Sequence, residues 1–283
     1  MPAPATPLIH RLTTLFVRLF AETHLWIAAG AAFASAGTLA TLGASTSGPL
    51  PLLVGAATGW VYTLQRFMKA ARQRHAPDRP ALRLPLLLLW TVAGIAALVH
   101  FAAESDLLSW EKLPALLAVS GFALVGALGY SLWPTRRAGG GLRDLPGLKL
   151  PLIATVWSLV TVVLPYAWTG QPLTASVPVA LAQFAFILGI TLPFDIRDMA
   201  FDAPSLKTVP QLLGPSRSTR LALFAVAFSA GFFYIADPSP ERMIVSILAL
   251  PIVAIGVAPR RPFYYLILID GLILLQGWSV PVL

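Results

Sequence analysis

Residues 194–214 read FDIRDMAFDAPSLKTVPQLLG, with five charged side chains in a chain where only 11% of residues are charged. Asp195, Asp198 and Asp202 stand at offsets 0, 3 and 7. At about 100° per helical residue they project within about 60° of one another, so a continued helix carries all three on one face. Carboxylates are expensive where a helix leaves hydrocarbon, and three on one face repel each other unless a cation sits between them. A divalent metal or a basic cluster is the occupant this pattern asks for.

Outward from that stretch the chain is almost continuously apolar. Of 283 residues 57% are hydrophobic, and the mean hydropathy is +0.76. Soluble domains carry about 25% charged residues, so this balance defines an integral membrane protein. Nine apolar segments, at 25–45, 48–68, 84–103, 113–133, 148–168, 174–194, 219–236, 242–258 and 262–280, are each separated by breakers such as Ser47-Gly48-Pro49, Gly139-Gly140-Gly141 and Gln171-Pro172. Each is long enough to cross a hydrocarbon core of about 30 Å as a helix. Alternating β patterning is absent, which excludes a transmembrane barrel. The expected fold is all-α, a polytopic bundle of nine transmembrane helices forming one domain over 1–283, with no internal repeat. There is no cysteine, so disulfides and thiolate chemistry are excluded.

Placing the connections alternately on two sides puts eighteen of the 20 Lys and Arg on one side, with Lys112 and Arg242 alone on the other. The positive-inside rule makes the crowded side cytoplasmic, with the N-terminus there and the C-terminus outside, as in a cell inner membrane. The net charge of +8 is then topology, and nucleic acid is not an expected partner; membrane lipids are. Residues 1–24 lack a signal-peptide pattern, because Arg11 and Arg18 interrupt the apolar stretch. They read either as an amphipathic helix on the cytoplasmic surface or as an extension of the first span.

Two charged connections, about 66–83 and 195–218, fall on the cytoplasmic side after the second and sixth spans. Asp195-Ile196-Arg197-Asp198, Asp202, Lys207-Thr208 and Leu213-Gly214 resemble the second Asp-rich motif of the UbiA superfamily of intramembrane prenyltransferases, and the span count resembles that family over the whole chain. Phe194 and Ser205 depart from the motif. The resemblance implies that Asp195, Asp198 and Asp202 are catalytic residues that bind Mg²⁺. It also implies a polyprenyl diphosphate donor, an aromatic or other lipophilic acceptor, and electrophilic alkylation with loss of diphosphate. A metal with basic side chains suits that chemistry, since negative charge builds on the leaving group.

The family's first motif, an Asn followed by two Asp at the end of the second span, is replaced. Thr63, Phe67 and Ala71 stand in its positions. Tyr62, Arg66, Lys69 and Gln73 instead share a helical face. Arg66 and Lys69 are expected either to grip a diphosphate or to pair with the aspartates. Ordinary positive-inside topology accounts for them equally. Lys149, at the start of the fifth span, and Lys207 carry the same two readings, phosphate contact or topology. Asp270 lies in the middle of the ninth span, where a carboxylate costs about 2.5–3.5 kcal/mol. It therefore needs a partner or a task, and His100 is a candidate partner. Gln183, on the sixth span, reads as a helix–helix hydrogen-bonding residue, and Trp60 and Tyr62 as cavity aromatics. Beside the prenyltransferase stand two alternatives: a catalytically degenerate isoprenoid- or lipid-binding protein on the same scaffold, and a small transporter coupled through Asp270.

Overall fold

The computed structural model describes residues 23–72, 80–103, 110–132, 141–142, 145–202, 206–236 and 240–278. Residues 1–22 of the expected interfacial helix and 73–79 of the basic connection lie outside the described residues, as do the side chains of 69–83. All regular structure among the described residues is helical. In chain order the helices are α1 (Leu25–Thr41), α2 (Pro49–Arg72), α3 (Pro80–Ala103), α4 (Leu113–Leu132), α5 (Lys149–Ser158), α6 (Leu164–Thr169), α7 (Val177–Asp198), α8 (Val209–Leu213), α9 (Pro215–Ala236), α10 (Pro240–Ala254) and α11 (Asp270–Trp278). A π-helical turn, Leu159–Val163, joins α5 to α6, and a second, Tyr264–Ile269, leads into α11.

Five of these columns are long and apolar enough to cross a membrane, and three shorter apolar helices accompany them. Their outer faces carry large exposed apolar side chains, among them Leu88, Val92 and Val99 on α3 and Phe122 and Val125 on α4. Such a surface is stable only against lipid. The protein is an integral membrane helical bundle.

Small residues set how closely the columns approach. A Cβ on Gly277 of α11 would come within 2.1 Å of the Phe33 backbone on α1, so these two helices cross in contact. Gly189 does the same between α7 and α9, where an added Cβ would lie 2.5 Å from Val226. The core around Phe186, Ile190, Leu192, Tyr265 and Ile269 is fully buried and draws α5, α7, α9, α10 and α11 together. Arg242, only 2% exposed, donates to Thr38 Oγ1 at 2.8 Å. Thr38 donates in turn to the Thr161 carbonyl at 2.6 Å. That carbonyl belongs to the first π turn, whose looser ladder leaves oxygens for other donors.

Candidate functional site

Helix α7 delivers the acidic motif to one end of the bundle, and it stops sooner than the sequence spacing suggests. Its last residue is Asp198. The chain then turns, with the amides of Phe201 and Asp202 both donating to the Asp198 carbonyl at 2.8 Å. Asp202 therefore sits beyond the helix rather than on its face. The expectation of three carboxylates on one helical surface is corrected to a pair plus one.

The pair is Asp195 and Asp202, and the cation between them is Lys149. Its Nζ lies 2.7 Å from Asp195 Oδ1 and 3.4 Å from Asp202 Oδ2. Asp195 is 1% exposed, whereas Lys149 and Asp202 are each 21% exposed. A buried carboxylate held by a half-buried ammonium at the first residue of α5 is costly unless that cation stays close. Asp198 has a different cation. Arg197 grips it in a two-bond fork, Nε to Oδ1 at 2.7 Å and Nη2 to Oδ2 at 3.0 Å. The same guanidinium lies over the rings of Tyr265, at 4.6 Å, and Phe194, at 5.2 Å.

The loop after the motif is built to hold Asp202 in place. Thr208 and Gln211 form a reciprocal capping box at the start of α8. Gln211 Oε1 accepts from the Thr208 amide at 3.0 Å, and its Nε2 donates to the Asp202 carbonyl at 3.1 Å. Lys207 precedes the cap, exposed and in the left-handed region with φ 46°, a conformation an L-residue adopts only under constraint. A small cleft opens here, lined by Gly147, Lys149, Asp195, Leu206, Thr208 and Val209.

The replaced first motif lies on α2. Thr63 is buried and donates to the Gly59 carbonyl at 2.7 Å, and Phe67 is 39% exposed. Neither offers a carboxylate. Arg66 is half-buried on the same helix; Lys69 lies on α2, but its side chain is outside the described part. Among the described side chains, Lys149 and Arg197 are the cations paired with these aspartates. Tyr62 packs against the core and stands 6.0 Å from the His24 ring.

Asp270 opens α11 directly after the second π turn. The charged neighbour within its electrostatic reach is Arg197, and Tyr62 is close enough to feel its charge. His100, exposed at the far end of α3, is not that neighbour. Gln183 is buried, and its Nε2 finds no hydrogen-bond partner among the described residues. Sequence reasoning passed over Arg197 as a site residue, although its position beside Asp198 was visible.

No protein-family profile matches this sequence, and no curated protein is similar to it in sequence. Three-dimensional comparison finds solved structures of a UbiA homologue from Archaeoglobus fulgidus. The form bound to GPP and Mg²⁺ has a TM-score of 0.56 at 15% identity, covering 94% of this chain and 98% of that one. The form bound to DMAPP and Mg²⁺ has a TM-score of 0.54 at 16% identity, covering 95% and 99%. The chain thus has the fold of these UbiA homologues over almost its full length.

Among the described residues no three carboxylate or imidazole side chains form a closed metal cage. Mg²⁺ needs less than that, because it binds through one or two carboxylates with substrate phosphates and water completing its shell. Asp195 and Asp202 already converge on one cation position, occupied by the Lys149 ammonium. That donor pair fits an Mg²⁺ ion arriving on a diphosphate.

Proposed function

We propose that the protein is a UbiA-like membrane transferase that binds a polyprenyl diphosphate with Mg²⁺ at its cytoplasm-facing mouth and alkylates an aromatic or other lipophilic acceptor. The observation that carries this reading is the convergence of Asp195 and Asp202 on one cation beside a cleft. It occurs in a fold whose solved examples hold Mg²⁺ with GPP or DMAPP. Asp195 and Asp202 would hold the metal, with Asp198 at its edge. When bound, Mg²⁺ neutralises charge developing on the departing diphosphate. Lys149, released from the carboxylates, turns its ammonium to a phosphate oxygen, and Arg66, Lys69 and Lys207 supply further donors. The apolar columns behind the mouth house the isoprenoid tail and keep water from the allylic centre. In this reading the site faces the cytoplasm of an inner membrane with the N-terminus inside. Reporter fusions after Gly214 and after Ala236 therefore give opposite signals.

The test is turnover of geranyl diphosphate by purified protein. Release of inorganic diphosphate requires Mg²⁺ and falls at least 100-fold in Asp195→Asn and Asp202→Asn, the scale expected when a group stabilising leaving-group charge is removed. Wild-type protein that releases none, with or without acceptor, contradicts the transferase reading. One observation favours a second reading, an isoprenoid-binding protein without turnover: every acid of the motif already has a protein cation, Lys149 or Arg197. In that case geraniol and geranyl diphosphate bind equally well.

A further inference from the structure

Asp270 stands apart from every other acid near the mouth. Among the described residues it makes no hydrogen bond and no ion pair. Arg197, the charged side chain within its reach, is already committed to Asp198 by two bonds and to Tyr265 by its flat face. Yet Asp270 is not sealed in. Ile269, Leu272 and Ile273 around it are 0%, 1% and 4% exposed, while Asp270 itself keeps partial accessibility, as do Tyr62 and Phe194. It is therefore a partly accessible carboxylate two turns inside the last column. A carboxylate at membrane depth costs several kcal/mol without a partner, and π-to-α junctions of this kind recur at working sites. A carboxylate left open in this way is a strong acceptor awaiting a donor.

Resting on the transferase reading, we propose that Asp270 is the acceptor-side residue. It takes the hydrogen bond of a neutral, hydroxyl-bearing lipophilic acceptor and receives that hydroxyl's proton on transfer. The acceptor oxygen attacks C1 of the prenyl group, forming a C–O bond. The bond from C1 to the diphosphate oxygen breaks, its electron pair leaving with the diphosphate. The acceptor O–H bond breaks and its proton passes to the Asp270 carboxylate. Charge selects the substrate class. The cation facing Asp270 is neutralised by Asp198, and among the described residues the other titratable side chains coupled to Arg197 or Asp270 are Tyr265 and Tyr62. A carboxylated acceptor would thus be repelled, whereas an alcohol or phenol is held.

Paired probes of the same shape test this: 4-octylphenol and 4-octylbenzoate, with geranyl diphosphate as donor. Equilibrium binding is read first, without donor. Wild type binds the phenol at least tenfold more tightly than the benzoate, and Asp270→Ala erases that preference while Asp270→Asn, closer in shape, controls for folding. With donor and Mg²⁺, Asp270→Asn keeps geranyl diphosphate affinity within twofold of wild type. It slows ether formation by about 100-fold or more, as loss of a general base does. Phenol binding unchanged in Asp270→Ala, or wild-type ether formation by Asp270→Asn, overturns the assignment. Failure of wild type to bind geranyl diphosphate overturns the transferase reading instead, and is read separately from phenol binding.

Discussion

Two buried cations, at opposite ends of the bundle, are handled in opposite ways. Arg242, at the end away from the acidic motif, is sealed at 2% exposure and is held by a neutral hydroxyl backed by a helix carbonyl, with the Phe233 ring 5.7 Å from its guanidinium carbon. Lys149, at the end that carries the motif, sits on a flexible stem beside a cleft and is held by two carboxylates that a metal would bind equally well. The first arrangement offers no route for exchange and ties α1, the first π turn and α10 together. The second is an exchangeable ion set. Burial of charge alone therefore does not mark function; burial beside an opening, with interchangeable partners, does.

The comparison breaks most readily at Lys149. Replacing it by Ala strands Asp195, a loss of about 3–5 kcal/mol for a broken buried pair. Because the pair is partly open to water, the lower end is expected. Added Mg²⁺ should restore melting temperature in Lys149→Ala more than in wild type, and the double variant Lys149→Ala/Asp195→Asn should recover without metal. Arg242→Ala should cost about 2–5 kcal/mol, the range for emptying a packed core position. Chemical denaturation should find no rescue by Mg²⁺ and no change in geranyl diphosphate affinity.

Arg66→Ala sharpens the contrast from the other side. Its expected effect is on ligand, a 10–100-fold loss of geranyl diphosphate affinity, matching a charge-assisted bond of about 1.5–3 kcal/mol, with melting temperature unchanged. Arg197→Ala has the smallest expected effect on stability. Its pair with Asp198 is about one-third exposed, and such pairs contribute about 0–1 kcal/mol.

The columns were legible because hydrocarbon thickness and the Lys/Arg bias act on the whole chain. Helix α2 begins at Pro49 within the Ser47-Gly48-Pro49 breaker, and α6 ends at Thr169 just before Gln171-Pro172. The candidate site was legible in composition but not in geometry. Spacing put Asp202 on the face of α7, yet the helix stops at Asp198, and Pro204 disfavours helix in the residue before it. That Lys149 serves two of the acids depends on α5 packing beside α7, a neighbour relation that no local pattern encodes. The Arg197–Asp198 fork was local, and was missed because attention went to acids at helical spacing rather than to the adjacent residue. Asp270 was flagged by its depth alone; its neighbour Arg197 emerged only from the packing.

Competition at the end that carries the motif is the most direct measurement. Binding of geranyl diphosphate and of geraniol to wild-type protein is titrated in Mg²⁺ and again in EDTA. Exchange of Lys149 for a metal–diphosphate predicts that geranyl diphosphate affinity falls at least tenfold in EDTA while geraniol stays weak and unchanged. Equal affinities for the two, indifferent to EDTA, would contradict it.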